Sequence, residues 1–163
     1  MPSSLPFAIL APVPLEHLKA GLDVNKVQPF VAYGTRKWEL LRKIDDMRGN
    51  DRVPMLIYPS HEDAEVSTAL MVTWFGWYAG HVDAKGGAHP SGTLYRPITT
   101  LQNPQDNKGY WAAFWHIEAL RELPTDKHIR IGKIEGFKGG WRKEAPPRGP
   151  ELVSLPDIFV DQD

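Results

Sequence analysis

Four charged residues lie close together in the first third of the chain: Arg36, Lys37, Glu39 and Arg42. A carboxylate such as that of Glu39 can accept a hydrogen bond from the amino group of a base, and the three cations can contact phosphate. On a strand, Lys37 and Glu39 would share one face, with Arg36 on the other. In an enzyme, Lys37 and Glu39 would be the acid–base pair. The alternative is an ion-pair cluster that only stabilises the end of a helix or strand.

Six tryptophans and five tyrosines supply the flat side chains that a base pocket would need. Such a pocket requires two or three rings with free faces, because stacking contributes about 1–3 kcal/mol per base. On a strand, Trp74 and Trp77 would point to opposite faces. One of that pair is therefore expected to line a ligand-binding cleft together with Trp38 or Tyr58. Core packing is the alternative for every ring. The two tryptophans expected in the core are Trp111 and Trp115.

Charge is distributed unevenly along the chain, although 19 basic and 20 acidic residues give a net charge of only −1. That total excludes a uniformly basic nucleic-acid-binding protein but not a local basic surface. Residues 127–148 are strongly basic, and Phe137 and Trp141 lie among the cations. Cations interleaved with rings are typical of single-stranded nucleic-acid binding, and a solvated loop is the alternative. The residues expected at a basic rim are Arg42, Lys138, Arg142 and Lys143.

Metal and nucleophile chemistry finds little support in the sequence. Cysteine is absent, which excludes disulfides, Cys-ligated zinc and thiol nucleophiles. His81, Asp83 and His89 have metal-binding side chains, but their spacing matches no metal motif and favours a polar cluster at the rim. No Gly-x-Ser-x-Gly motif of a serine hydrolase occurs. His116 is predicted to be a half-buried histidine, or a general acid or base in a ribonuclease. We therefore expect neither a metal nor a cofactor.

Apolar runs and turn residues predict an α+β protein. Helical spacing of Leu15, Leu18 and Leu22 predicts one helix, and residues 34–44 fit either a helix or a strand. With 14 glycines and 15 prolines in the connections, the pattern predicts a small β-barrel of about six strands with peripheral helices. Residues 1–163 are expected to form one domain. The remaining expectations are an irregular Gly/Pro-rich segment over 137–163, loosely held at 155–163, and strands near 7–10, 53–58, 69–84, 110–118 and 129–134.

The sequence gives no indication of membrane association or export. The first residues lack the basic and apolar regions of a signal peptide. The most apolar stretch, residues 69–82, contains Gly76 and Gly80 and is shorter than the roughly 18 residues of a membrane span. A cytoplasmic protein without a membrane partner is expected, and its oligomeric state stays open.

The segment that begins at Gly34 resembles the ASCH and EVE domains of the PUA-like superfamily. Their signature is Gly-x-Lys-x-x-Glu-x-Arg; Gly34 and Glu39 match it, and Arg36 stands at the Lys position, basic but not Lys. The sequence also departs from the signature at its last position, where Leu41 stands and Arg42 follows one residue late. The next strand resembles one that ends in Tyr-x-Ser beside the cleft of these domains. The resemblance covers roughly residues 7–134, and the Tyr-x-Ser positions are Tyr58 and Ser60.

The resemblance implies a pseudo-barrel whose cleft receives a nucleotide or a nucleobase. Members of the superfamily bind RNA, or DNA with modified cytosine, and enclose the base between aromatic side chains; a small nucleotide-like ligand is a further possibility. Other members are ribonucleases or amidohydrolases, so a metal-independent ribonuclease or nucleoside hydrolase is the alternative. The amidohydrolases use a Lys with a Thr three residues later, where this chain has Arg36 and Glu39. Arginine does not release its proton near neutral pH and Glu is not a hydroxyl nucleophile, so that chemistry is not expected. A protein-interaction domain is a third possibility that the sequence neither favours nor disfavours.

Overall fold

A computed structural model describes residues 6–59, 70–107, 109–137 and 149–159. Within these residues the chain forms two α-helices and eight β-strands, with several short 3-10 turns between them. The helices are α1, Leu15–Val27, and α2, Trp38–Arg48. The strands are β1 Phe7–Val13, β2 Val31–Thr35, β3 Val53–Pro59, β4 Met71–Val72, β5 Trp74–Asp83, β6 Ala113–Glu122, β7 Ile129–Arg130 and β8 Glu151–Ser154.

Six strands form one mixed sheet in the order β2-β6-β5-β3-β1-β8, and β4 pairs with β7 in a second, two-stranded sheet. In the large sheet β1 and β3 run parallel, while the other neighbours are antiparallel. Every residue of β3 is buried, as its unbroken apolar run VPMLIYP predicts for a strand covered on both faces. The α+β class is therefore confirmed. Because β2 and β8 are the two ends of the strand order, the sheet is not closed into a barrel, and the barrel remains a prediction.

The hydrophobic core consists of two clusters, and residues on opposite faces of β1, β3 and β5 contribute to one or the other. The first contains Leu18 of α1, Leu41 and Ile44 of α2, and the side chains of Trp74 and Tyr78. The second contains the intervening side chains of β5 together with β3, β8 and the last described turn. Both helices therefore pack on the first cluster, and burial of their apolar faces stabilises them.

For residues 34–44 the helix alternative is confirmed from Trp38 onward, where α2 begins, and β2 ends before it at Thr35. Two local predictions need correction. The strand predicted over 129–134 is only two residues long, since a 3-10 turn follows it over Ile131–Lys133. The segment 137–163 is not irregular throughout, because β8 lies within it and pairs antiparallel with β1.

The end of the described chain is also held more firmly than the sequence predicted. Phe159 is 1% exposed and packs in the second core cluster, where its ring stacks on Phe75 at 5.7 Å. Burial of this one aromatic side chain fixes the last turn. Among the described residues, no helix combines the length and the apolar character required to cross a membrane.

Candidate functional site

A cavity of about 480 Å³ lies where the end of β1, the start of α1, β2 and the start of β6 meet residues 84–112, the β5–β6 insertion. The insertion forms its outer wall with two 3-10 turns, Ile98–Gln102 and Pro104–Asn107. One wall is aromatic and the other is polar. The lining residues are Pro12, Val13, Pro14, Glu16, His17, Tyr33, Gly34, Arg96, Thr100, Asn103, Asp106, Tyr110, Trp111 and Trp115.

The aromatic wall depends on a glycine at the right place in β2. Tyr33 and Trp115 pack with ring centroids 5.3 Å apart, and Trp111 meets Tyr110 edge-to-face at 4.5 Å. A Cβ atom on Gly34 would overlap the indole ring of Trp111. Only glycine lets that ring lie against the backbone of β2. Trp111, predicted to be a core residue, therefore lines a cavity instead, whereas Trp115 lies in the first core cluster as predicted and also borders the cavity.

The two cavity tryptophans have unsatisfied hydrogen-bond donors. The Nε1–H groups of Trp111 and Trp115 are covered from solvent and find no acceptor in the described part of the chain. The same holds for Trp74 and Trp77, which lie in the core. A buried donor without a partner costs about 1–3 kcal/mol.

His17 of α1 is the centre of the polar wall. Its Nδ1 lies 2.6 Å from Oγ1 of Thr99, and its Nε2 lies 3.8 Å from a carboxylate oxygen of Asp106. The hydroxyl of Tyr33 donates to the backbone oxygen of His17 at 2.8 Å. Burial raises the pKa of Tyr33, partly offset by the charge of Arg96, so the hydroxyl stays protonated and keeps donating. Hydroxyl, imidazole and carboxylate groups thus meet at one side of the cavity.

Arg96 connects the insertion to the sheet. Its Nη1 donates to the backbone oxygen of Ala32 at 2.7 Å, and its Nη2 donates to that of Asp106 at 2.8 Å. Its Nε donates to the side-chain oxygen of Asn107 at 3.2 Å. Burial lowers the pKa of Arg96 to about 10, and the nearby Asp106 opposes that shift. The guanidinium is therefore still charged at neutral pH, and its donors are directed mainly at the protein, so it fixes the wall.

The predicted charged cluster lies on the surface at the start of α2. Arg36 reaches towards the cavity, because its guanidinium lies 4.4 Å above the ring of Tyr110. Lys37 turns the other way and donates from Nζ to the backbone oxygen of Pro150 at 3.2 Å. Glu39 is exposed in the first turn of the helix. The four side chains therefore do not converge on one point, and Arg36 contacts Tyr110, which lines the cavity.

The predicted aromatic cleft is not assembled from the predicted rings. Trp74 and Trp77 are 2% and 1% exposed and lie in different core clusters, as expected for opposite faces of β5. Tyr58 is also buried, at 1%. These three rings offer no free face to a ligand. Trp38 is 39% exposed, with Arg42 above its ring at 5.6 Å, and does not line the cavity. Ser60, Lys138, Arg142 and Lys143 lie outside the described residues.

The proposed polar cluster at the rim is also divided. His81 contacts a carboxylate oxygen of Asp45 at 2.5 Å, with Asp83 3.8 Å from its other nitrogen. His89 instead meets His116. In the part of the chain that the structure describes, no group of three or more metal-binding side chains could hold a metal ion.

Several cavity residues escaped sequence reasoning altogether. His17, Tyr33, Arg96, Asp106 and Tyr110 come from α1, β2 and the insertion, so no short spacing connects them. The available signal was weaker: a glycine in a strand often marks a close approach of another group, and Gly34 is such a residue.

Comparison of the chain with protein-family models, with curated proteins and with solved structures finds no match.

Proposed function

We propose that this chain is a PUA-like binding module whose cavity receives a nucleobase, presented by single-stranded RNA, by DNA with a modified base or by a small nucleotide-like ligand. The observation that carries the proposal is the pairing of an aromatic wall with a polar wall in one cavity. Trp111, Trp115 and Tyr110 supply flat apolar surface, and His17 and Asp106 supply hydrogen-bonding groups. A planar ring with polar edges is the ligand that such a site fits.

The size of the cavity supports this class of ligand. Small-molecule sites commonly enclose about 300–1,000 Å³, and the cavity measures about 480 Å³. Gly34, the first residue of the signature that resembles ASCH domains, lies in its wall. The glycine is needed there because the ring of Trp111 occupies the space of a side chain. A motif residue is thus directly connected to the candidate site.

The mouth of the cavity offers a contact for a phosphate. Tyr110 is 39% exposed, and Arg36 lies over its ring. A base entering beside Tyr110 would bring its phosphate near the Arg36 guanidinium, which suits a phosphate oxygen. Inside, the carboxylate of Asp106 would repel a phosphate. The proposal therefore places the base within and the backbone outside.

The test is a binding titration with labelled single-stranded RNA and DNA, with and without modified cytosine, at low and high salt. Tyr110→Ala removes a ring that lines the cavity, and Trp38→Ala is a matched control, since both rings are 39% exposed and each lies under an arginine. Loss of one stacked base, about 1–3 kcal/mol, predicts roughly a 5- to 150-fold weaker affinity for Tyr110→Ala alone. Undetectable binding at low salt, or equal loss in both variants, would refute the proposal.

A second candidate function is hydrolysis of the bound nucleoside or RNA without a metal. The contact of 2.6 Å between His17 Nδ1 and Thr99 Oγ1 favours it, because it holds an imidazole in one orientation beside a carboxylate. Lys37 and Glu39, the acid–base pair suggested by the sequence, stand outside the lining residues. Labelled RNA and nucleosides incubated in chelator with wild type, His17→Gln and Lys37→Ala separate the cases. If turnover is lost only in His17→Gln, the catalytic site lies in the cavity. If it is lost only in Lys37→Ala, the catalytic site lies at the start of α2.

A further inference from the structure

Two histidines meet inside the protein, apart from the residues that line the cavity. His89 of the β5–β6 insertion and His116 of β6 are 6% and 9% exposed. Their Nε2 atoms lie 3.0 Å apart, which is a hydrogen-bonding distance. The backbone N–H of Ser91 donates to Nδ1 of His89 at 2.9 Å. This pair joins the insertion to β6 through a hydrogen bond between two titratable side chains.

The hydrogen-bond network assigns the proton positions of the pair. Because Nδ1 of His89 accepts from Ser91, its neutral ring carries hydrogen on Nε2 and donates it to Nε2 of His116. A proton added to His116 would set two N–H groups against each other. A proton added to His89 would oppose the N–H of Ser91 instead. Either protonation therefore breaks one of the two hydrogen bonds.

Aromatic rings enclose the pair. Phe30 stacks on His116 with centroids 3.9 Å apart, and Tyr95 packs against Phe30 at 4.3 Å. Phe114 meets the ring of His89 at 5.3 Å. These apolar surroundings favour neutral imidazoles, since a charge buried among rings loses its hydration.

The charged and titratable groups that face the pair do not stabilise a positive imidazole. They are Arg96 and Tyr95 from the insertion and His81 from β5. Within the described residues, neither His89 nor His116 has a carboxylate partner. The nearby carboxylates lie against other groups than the pair. Asp106 lies within ion-pair distance of Arg96, and Asp45 and Asp83 lie within that distance of His81.

The segment from His89 to Arg96 carries part of the cavity wall, because Arg96 lines the cavity. The backbone N–H of Ala32 donates to the backbone oxygen of Tyr95 at 2.8 Å, and Nη1 of Arg96 donates to the backbone oxygen of Ala32 at 2.7 Å. We propose that the contact between His89 and His116 is a proton-operated latch that holds this segment on β2 and β6, so that protonation releases Arg96 and opens the cavity wall. The latch itself stands on these contacts alone, whereas its effect on a ligand rests on the proposed function.

Electrostatics sets the pH range in which the latch would act. Burial lowers the pKa of His89, with a further contribution from Arg96. Burial, then the proximity of His89 and His81, lowers the pKa of His116 to about 4. An imidazole released to solvent in the open form has the ordinary pKa of about 6.5. Because the closed form has the lower pKa, its stability is fully present above about pH 6.5 and falls as the pH decreases towards about 4.

The test follows hydrogen exchange of the Ala32 amide. Its hydrogen bond to the backbone oxygen of Tyr95 joins β2 to the segment that the latch would hold. From the lowered pKa of His116, linkage predicts on the order of a thirtyfold larger open population at about pH 5 than at about pH 7.5. Protection is corrected for the pH dependence of the chemical exchange rate, and amides of β3 serve as the internal reference. In His116→Gln, the side-chain oxygen can still accept from His89 but does not titrate. We expect it to abolish most of the pH effect.

The control is His128→Gln, which removes a histidine whose Nε2 contacts the backbone oxygen of Leu123. If His116→Gln does not fold, His89→Gln takes its place: it keeps a donor to His116 but removes the titration of His89, so a smaller pH effect than in wild type is expected. Unchanged Ala32 protection in wild type between the two pH values, or an equal pH effect in wild type and the glutamine variant, overturns the latch.

A parallel titration with labelled single-stranded RNA at both pH values separates the two proposals. Weaker binding at about pH 5 in wild type but not in His116→Gln supports the regulatory link, and equal binding at both pH values overturns it. If RNA binds at neither pH but the Ala32 amide still loses protection at about pH 5, the proposed function is refuted and the latch is supported.

Discussion

Two pairs of tryptophans in this molecule show how little a residue type alone says about its role. Trp74 and Trp77 of β5 lie in the two core clusters. Trp111 and Trp115, beside and within β6, line a cavity of about 480 Å³. All four have buried indole N–H groups without an acceptor in the described residues. The sequence predicted that one of the β5 pair faces a cleft and that Trp111 and Trp115 lie in the core. That core position is confirmed for Trp115, which lies in the first cluster as well as beside the cavity, but not for Trp111.

The difference comes from what covers each face. Both faces of β5 are covered, by helices on one side and by the second cluster on the other. Gly34 leaves room for the ring of Trp111, which lies just before β6 begins and borders the cavity. A cavity requires such a gap between elements, and the spacing of residues within one strand cannot reveal it. The predictions below test this distinction, beginning with the largest effect.

Trp77→Ala is expected to lower the free energy of unfolding by about 3–5 kcal/mol, because it leaves a large void in a closed core. Trp77 is 1% exposed. Trp111→Ala, at the edge of an existing cavity, should lower stability by less than half as much. Urea denaturation of both variants measures the difference. Equal losses would show that Trp111 is as much a core residue as Trp77.

Gly34→Ala is expected to lower stability by about 1–3 kcal/mol, the usual cost of overpacking, and to weaken binding of labelled single-stranded RNA by displacing Trp111. The matched control is Gly149→Ala, whose Cβ would meet only the flexible end of the Lys37 side chain. Denaturation and binding are measured on both. A Gly34→Ala protein with wild-type stability and affinity would contradict the packing of Trp111 on β2.

Tyr33→Phe and Tyr78→Phe should each lower stability at neutral pH by about 0.5–1.5 kcal/mol, with the larger loss for Tyr78. The hydroxyl of Tyr78 donates to a carboxylate oxygen of Asp45 at 3.0 Å, while that of Tyr33 donates to a neutral carbonyl. Burial raises the pKa of both tyrosines above the ordinary value of about 10. Their contribution is therefore fully present below about pH 10 and is lost as the pH rises further.

The alkaline branch of that prediction is quantitative. Above about pH 10, each buried tyrosine should cost the wild type about 1.4 kcal/mol per pH unit, and each Phe variant should lose one such contribution. Denaturation at several alkaline pH values gives the slope. A slope that neither variant reduces would mean that these hydroxyls ionise as easily in the folded protein as in the unfolded chain.

Glu39→Gln is expected to change both stability and RNA affinity by less than about 0.5 kcal/mol, as is usual for an exposed surface position. Glu39 is exposed and does not line the cavity. Arg36→Gln is the comparison, because Arg36 lies over Tyr110 and should show the larger loss of affinity. If Glu39→Gln weakens binding more than Arg36→Gln does, the ligand contacts the start of α2.

Sequence reasoning located most of the strands because their residues are apolar on both faces. The run VPMLIYP lies in the centre of the sheet, and Ala113, Trp115 and Ile117 of the strand predicted near 110–118 lie in the first core cluster. It was wrong for β8, since the short segment ELVS is a strand only because it pairs with β1. Hydrogen bonds to a partner distant in sequence decided that element, and no local pattern reports them.

The candidate site was less accessible from sequence than the fold. Composition and local patterns determined that the protein lacks thiol chemistry, is rich in rings and turns, and combines helices with a sheet. The tertiary structure alone decided which rings face a cavity, since Tyr33, Arg96 and Trp115 come from three distant parts of the chain. It also decided that His89 and His116 share a hydrogen bond. The physical reason is that side-chain patterns report burial along one element, whereas a site depends on the space left between elements.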